Sequence, residues 1–437
     1  MALEKINGKN STGKKFLFVS IEGLIGDLAW AVKKEGNEVK YFIQQKDQRD
    51  VSDGFVEKCD EWEKFVEWAD VIVFDDIGFG AVAEKLRKQG KLVVGGSVYT
   101  DKLEDNRDFG QEEMKSIGIN VLPNWVFDNF DFAIKFVKEN PGRYVLKPSG
   151  KAQNEKELLF VGQEEDGKDI AQVLEHYKRN WAKKIKIFQL QKFAAGVEIA
   201  VGAFFNGKDF IFPINVNFEH KKMFPGDIGP STGEMGTSMF WSPPNEVFKR
   251  TLGKAKEKLA ASGYVGYIDI NCIANINGIY PLEWTARFGF PHISIAMEGV
   301  LSPWGEFLYA IASGKNFDLR TKKGFQVGVV IGVPPFPFKD PDAFRKYSEG
   351  AHIIFKKPSL DGVHICDVKM ENEDWILAGN SGYALIITGS GSTMDEARQQ
   401  AYNRIKNIMI PNMFYRTDIG VRWHRDSDRL QTWGLMY

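Results

Sequence analysis

Along residues 16–96 the chain alternates short apolar runs with stretches whose apolar positions recur every three or four residues. "FLFVSI" (16–21), "VKYFI" (39–43), "VIVFDD" (71–76) and "KLVVGG" (91–96) are short and continuously apolar, and read as buried strands. Between them "LAWAVKKEG" and "AVAEKLRKQG" carry helical periodicity, and Gly36 stands where the first would end. That rhythm predicts a small parallel sheet with β-α-β connections. A further helix over "NRDFGQEEMKSIG" runs into the proline of "VLPNW".

From residue 144 the pattern changes. "YVLKPSG" (144–150) predicts a strand ending at Lys147-Pro148, followed by a polar turn and the strand "ELLFVG". After a helix over "AQVLEHYKRNWAKK", the segment "IFQLQKFAAGVEIAVGAFFNGKDFIFPINVNFEHKK" reads as antiparallel strands turning at "FNGKD". "GDIGPSTGEMGT" (226–237) holds four glycines and a proline, too many for a helix or strand, and is expected to be a loop. Glycine at this density lets a backbone approach a ligand closely. A helix over 246–262 follows, then the hairpin "YVGYIDINCIANINGIYPLEW" with its tip at Asn277-Gly278. The last third predicts the strands "FQVGVVIGV" and "YALIITGSG" and a helix over "TMDEARQQAYNRIKNI". No internal repeat or low-complexity segment interrupts these elements.

A length of 437 residues exceeds one ordinary core and suggests about three domains. The formal net charge of −1 gives no reason to expect nucleic acid or an anionic membrane as a partner. No apolar run reaches the ~20 residues of a membrane span. The start "MALEKINGKNSTGKK" lacks the apolar centre of a signal peptide and reads as a flexible leader. Cys59, Cys272 and Cys366 lie far apart without CxxC spacing, which fits buried or idle thiols in a reducing cytosol and argues against structural zinc. A cytoplasmic location is expected.

Several common chemistries lack their motifs. There is no GxxxxGK[ST], no HExxH and no GxSxG, and "SIEGLIGD" misses GxGxxG. The predicted hairpin is more informative. Asp269 and Glu283 lie on its two strands and can point from one face into one site, where two carboxylates suit Mg²⁺ together with phosphate oxygens. Either acid alone could equally be an ordinary surface carboxylate. Arg287, four residues past Glu283, could reach the same phosphates or a substrate carboxylate as a fork donor. Lys147 is a plausible phosphate ligand. Glu198 sits in an apolar strand, where it either faces solvent by alternation or accepts from a ribose.

The order of these parts resembles an ATP-grasp enzyme, in which two α+β subdomains clamp ATP. "HKKMFPGDIGPSTGEMGT" resembles the HKR…GDTGPNTGGMG segment of the glycinamide ribonucleotide synthetases (phosphoribosylamine–glycine ligases). "PLEWTARFGFP" resembles their LEFNCRFGDP, and residues 379–422 resemble their C-terminal segment nearly throughout. The resemblance implies a parallel α/β N-terminal domain (14–105), an ATP-grasp double subdomain (106–320, lid about 123–200) and a mixed α+β C-terminal domain (321–437).

It also implies an activity: ATP activates the carboxylate of glycine as an acyl phosphate, and the amine of phosphoribosylamine displaces phosphate. Lys147 then matches the phosphate-contacting lysine, and Arg107 stands where the family has an ATP-binding lysine and keeps its charge. Gln191, Lys192 and Phe193 match the adenine hinge, and Glu198 the ribose acceptor. Glu283 matches a metal ligand of the family, and Asp269 stands where other ATP-grasp ligases, such as D-alanine–D-alanine ligase, place an Asp, so the two are read as the pair holding Mg²⁺ (or Mn²⁺). Asp227 and Arg287 match catalytic positions beside the substrate, and Gly23, Ser231, Thr232 and Gly233 complete the substrate site. Small-molecule substrates are the expected partners, with the chain a monomer or weak homodimer.

The chain departs from the pattern in places. Thr285 stands where the family has asparagine as a second metal ligand. The lid loop "SGKAQNEKELLFVG" is poor in glycine and offers Lys151, Gln153 and Asn154 instead. At the first strand–helix turn, Leu24 replaces an arginine and Glu22 a glycine of GSGGREHA, where a ribose phosphate is expected. Two alternatives therefore stand beside the purine ligase: ligation of an amino acid to a non-phosphorylated amine, and nucleotide binding without turnover.

Overall fold

The computed structural model describes residues 13–150, 152 and 158–436. The apolar runs of the first hundred residues form a five-stranded sheet in the order β3-β2-β1-β4-β5, from Glu57–Lys58 (β3), Glu38–Ile43 (β2), Lys15–Ser20 (β1), Val71–Phe74 (β4) and Leu92–Val94 (β5). Every pairing in it is parallel. Helix α1 (Gly26–Lys34) crosses from β1 to β2, and Gly36 follows it with φ +92°, a left-handed conformation that suits glycine at a helix end. Parallel strands need such crossovers, which cover both faces and bury the strands.

A second, four-stranded antiparallel sheet has the order β6-β9-β7-β8: Asn124–Phe127, Phe188–Lys192, Tyr144–Pro148 and Phe160–Val161. Helices Phe130–Glu139 and Lys168–Asn180 pack on it around Leu146, Phe188 and Leu190. The last strand of this sheet ends at residue 192, within the span 123–200 expected of a lid.

The third sheet has eight strands in the order β16-β15-β10-β11-β14-β17-β22-β19. Its members are β10 (Val197–Asn206), β11 (Phe210–Glu219), β14 (Gly236–Ser242), β15 (Val265–Asn275), β16 (Gly278–Thr285), β17 (Phe325–Gly332), β19 (Val363–Ile365) and β22 (Tyr383–Gly391). Short pairs β12 (Lys222–Phe224) with β13 (Ile228–Ser231), β18 (Ile354–Phe355) with β23 (Ile408–Met409), and β20 (Val368–Glu371) with β21 (Asp374–Leu377) complete the strands. β17, β19 and β22 join this sheet by backbone hydrogen bonds, so the expected boundary at 320/321 divides segments that share one sheet. Helix Met394–Ile405 packs on the C-terminal end of that sheet, started by a reciprocal Thr393–Glu396 capping box.

Two local expectations change. The glycine-rich stretch is not wholly a loop: Ile228–Ser231 pairs with Lys222–Phe224, because Gly226 and Asp227 take positive φ (77° and 57°) and turn a tight hairpin between them. The helix expected over 246–262 is broken into Glu246–Arg250 and Lys256–Ser262. No helix among the described residues is long and apolar enough to cross a membrane.

Candidate active site

Alternation along four strands builds the site. Val197, Ile199 and Val201 of β10, Ile214, Val216 and Phe218 of β11, Ile268, Ile270 and Cys272 of β15 and Trp284 of β16 share one apolar core. Residues between them turn to the opposite face of the sheet. Glu198 of β10 and Asn215, Asn217 and Glu219 of β11 lie there, as do Asp269 and Asn271 of β15 and Glu283 and Thr285 of β16. Register sets Asp269 opposite Thr285 and Asn271 opposite Glu283. The expected metal pair therefore shares a face, diagonally across one step of the ladder.

A cavity of about 320 Å³ opens over this face, bounded by Arg107, Lys147, Lys221 and Arg287, by Ser231–Glu234, and by Asp269 and Glu283. Lys147 is buried and its ammonium donates to Gln191 Oε1 at 2.7 Å. Burial, with the charge of Arg107 adding to it, pushes the Lys147 pKa down to about 7. Lys221 Nζ lies 2.9 Å from Glu198, 3.0 Å from Glu219 and 3.7 Å from Glu283. Burial works against its charge, but the three carboxylates outweigh it and hold the pKa well above the ordinary value. Arg107 NH1 stands 3.9 Å from Glu283. Arg287 is held by Glu104 at 3.0 Å and Asp76 at 3.2 Å, so its fork is fixed at the cavity wall before any ligand arrives.

The acids fit a divalent cation. Asp269 is 3% exposed, and among the described residues its Oδ1 has no hydrogen-bond partner, nor has Asn271 Oδ1 beside it. Burial first, and then the Glu219 charge, push the Asp269 pKa well up. Buried acceptors without donors are costly, and a hard cation would satisfy both oxygens. No group of three or more His, Cys, Asp or Glu among the described residues could hold an ion by itself. That suits Mg²⁺, whose shell is usually completed by phosphate oxygens and water.

Other expected residues are not brought to the cavity. In β9, Phe188 and Leu190 face the lid core, and Lys192 has the same parity. Its ammonium lies 4.9 Å from the Tyr144 ring and its N–H donates to Pro123, so its side chain turns from the Lys147–Gln191 face. Phe193 carries the Arg143 guanidinium over its ring at 3.6 Å and lines a separate hollow with Tyr280 and Trp433. Asp227 sits on the exposed hairpin turn, its carboxylate 2.9 Å from Arg416 and outside the cavity. Arg416 also binds Asp418 at 2.7 Å, so this pair ties the hairpin to the C-terminal segment rather than facing a substrate.

Gly23 takes φ +84° and donates its N–H to Ser20 Oγ at 2.8 Å, while its neighbour Leu24 reaches the cavity. Glu22 accepts from Gln45 at 3.1 Å and lies 3.6 Å from Lys339, turned to the rim. The first turn of α1 is closely packed: a Cβ at Gly26 would meet Ser52 Oγ at 2.0 Å and the Tyr41 ring at 3.3 Å. Gly233 is the reverse case, with nothing among the described residues within 4 Å of an added Cβ. Lys151, Gln153 and Asn154 of the lid loop lie outside the described residues.

Sequence reasoning missed Lys221, Glu219, Asn271, Glu234 and Glu104. The alternation of "INVNFE" was a usable signal for Glu219; Lys221 follows a change of strand direction that periodicity does not show.

Residues 105–293 match the family described as the phosphoribosylglycinamide synthetase ATP-grasp (A) domain, and 329–422 match its C domain. The chain is 26% identical over 377 residues to the phosphoribosylamine–glycine ligase of Listeria monocytogenes serotype 4b, covering 83% of this chain and 86% of the relative. The crystal structure of phosphoribosylamine–glycine ligase from Thermotoga maritima superposes with a TM-score of 0.70 at 22% identity, over 93% of this chain and 100% of that one. A Campylobacter jejuni biotin carboxylase in complex with β,γ-ATP superposes at 0.63 and 14% identity, over 97% and 98%.

Proposed function

Because the chain belongs to the phosphoribosylglycinamide synthetase family, we propose that it joins glycine to 5-phosphoribosylamine at the expense of ATP. The products are glycinamide ribonucleotide, ADP and phosphate, in de novo purine synthesis. The observation that carries this reading is one cavity in which Lys147, Arg107 and Lys221 stand beside the Asp269–Glu283 face and the 231–234 loop.

A glycine carboxylate oxygen attacks the γ-phosphorus, ADP leaves, and an acyl phosphate forms. The acceptor nitrogen then attacks the acyl carbon, phosphate departs, and the nitrogen loses a proton. Neither step needs a covalent enzyme intermediate; positioning and charge neutralisation carry the catalysis. Lys147, Arg107 and Lys221 put positive charge beside the transferring phosphoryl group. Arg287, pre-set by Glu104 and Asp76, receives a carboxylate. Gln191 and Glu198 are read as the base and ribose sides of the nucleotide site. A divalent cation held by Asp269 and Glu283 would neutralise phosphate charge when bound.

ADP release measured with ATP, Mg²⁺ and glycine, with and without phosphoribosylamine, tests the assignment: turnover should require both substrates. A second reading keeps the chemistry and changes the acceptor to an amine without a 5′-phosphate. It is favoured by the α1 turn, whose first residues are packed by Tyr41 and Ser52 and lack a basic side chain. Equal turnover with a dephosphorylated amine would select it.

A further inference from the structure

Glu234 lies in the short link between β13 and β14, in "STGEMG". The motif it resembles, GPNTGGMG, has glycine at that place, so this chain adds a carboxylate where the pattern needs none. The link is fastened on both sides of it: Thr232 N–H and hydroxyl reach Lys221 O at 2.8 and 2.9 Å, and Met235 N–H reaches His220 O at 2.8 Å. The Glu234 side chain lines the cavity, is 6% exposed, and its Oε1 has no hydrogen-bond partner among the described residues. An unpaired buried carboxylate oxygen costs free energy unless a ligand completes it.

The charge around it selects that ligand. Burial first, then Glu219, Asp269 and Glu198, disfavour its ionised form, while Lys221 favours it. Lys221 is already shared among Glu198, Glu219 and Glu283, and Arg287 between Glu104 and Asp76. The pocket at Glu234 is therefore short of positive charge and of hydrogen-bond donors. A primary ammonium supplies one charge and three donors in a volume a glycine-lined corner can take. An apolar group would leave Oε1 unpaired, and an anion could be met only by the protonated carboxyl through a single O–H donor.

We propose that Glu234 binds the ammonium group of the amino-acid substrate, with its carboxylate turned toward Arg287 and the phosphates. The inference rests on the ligase reading above and makes Glu234 a specificity residue: it separates amino acids from acids lacking the ammonium.

The test compares glycine with glycolate, which keeps the carboxylate and replaces the ammonium by a hydroxyl. Acyl phosphate is trapped with hydroxylamine, so the readout is independent of the natural acceptor. Glu234→Gln keeps the shape and removes the charge. A charge-assisted hydrogen bond of this kind corresponds to about a 10- to 100-fold rise in KM for glycine, with KM for glycolate and for ATP unchanged. Equal effects on glycine and glycolate, or no effect on either, would overturn the proposal. A second arm titrates methylammonium into the full-length protein with MgADP, following binding by calorimetry; it needs no turnover. Binding should weaken at least tenfold in Glu234→Gln, and equal binding overturns the assignment. If wild type makes no acyl phosphate from glycine yet binds methylammonium through Glu234, the ligase reading falls and the ammonium site stands.

Discussion

Lys147 makes a prediction in which stability and catalysis move in opposite directions with pH. Its ordinary pKa of 10.5 is pushed down to about 7 in the folded chain, chiefly by burial and then by Arg107. Between pH 7 and 10.5 the unfolded chain holds a proton that the folded chain has lost, so stability rises with pH across that window. At ~1.4 kcal/mol per pH unit, the full gap corresponds to roughly 5 kcal/mol as an upper bound. Binding of ATP asks for the charged form. The kcat/KM for ATP should therefore fall about tenfold per unit above pH 7, while kcat, set in the complex where phosphates restore the proton, should stay level. The assays are initial ADP release at sub-saturating and saturating ATP, and urea unfolding over pH 6.5–10. Lys147→Met should flatten the stability curve and cost most of the activity; Lys147→Arg should keep its charge throughout and remove the inflection. A flat kcat/KM profile in wild type, or an inflection that persists in Lys147→Met, would refute the reasoning.

Glu283→Gln should abolish ADP formation with an unchanged melting temperature, and Thr285→Asn should be tolerated; wild-type turnover of Glu283→Gln at saturating Mg²⁺ removes Glu283 from the metal pair. Gly233→Val projects into open cavity space, so it should leave the fold intact and lose glycine-dependent turnover, with ATP binding retained. Gly236→Ala is the contrast: at φ +148°, and with Gly328 O only 2.5 Å from an added Cβ, it should lower the melting temperature by several degrees.

Most elements were legible because their apolar periods are clean, as in Val71–Phe74 and in the helix Met394–Ile405 with its capping box. Asp269 and Glu283 were expected on one face of the hairpin and lie there, but tip register and alternation alone do not put them there. A register shift between Asn271 and Cys272 changes the parity of β16, so that Ile279 and Trp284 both reach the core and Glu283 turns to the other face. The side chains of Lys192 and Asp227 are not brought into the cavity, for opposite reasons. Alignment with a hinge says nothing of parity, and parity turns Lys192 toward Tyr144. Asp227 sits in a motif whose neighbours do face the site, but a positive-φ turn carries it out to Arg416. Lys221 and Glu104 were missed because tertiary placement sets their longer-range pairs: Lys221 with Glu198 and Glu283 besides its neighbour Glu219, and Glu104 with Arg287. The shared sheet was hidden similarly, because strand adjacency between 236–242 and 325–332 is a tertiary fact.

The acceptor end of the site turns on Glu22 and the α1 turn. A carboxylate at the start of a phosphate-binding helix would repel a dianion, and from sequence alone its removal should tighten binding several-fold. The structure reduces that figure. Glu22 is turned to the rim, accepts from Gln45 and has Lys339 within 3.6 Å, so part of its field is already compensated and solvent screens the remainder. If phosphoribosylamine binds at this turn, Glu22→Gln should lower its KM by only about two- to threefold, with the ATP parameters unchanged. The larger obstacle is packing: Ser52 and Tyr41 fill the space against Gly26, and Leu24 brings no donor. Leu24→Arg restores the fork that the motif carries at this position and points it into the cavity that Leu24 already lines. It should lower KM for phosphoribosylamine about tenfold if a phosphate lies there, and leave turnover of a dephosphorylated amine untouched. The same improvement for both amines would show that neither presents a phosphate to this turn, and the purine acceptor would then give way to an uncharged one.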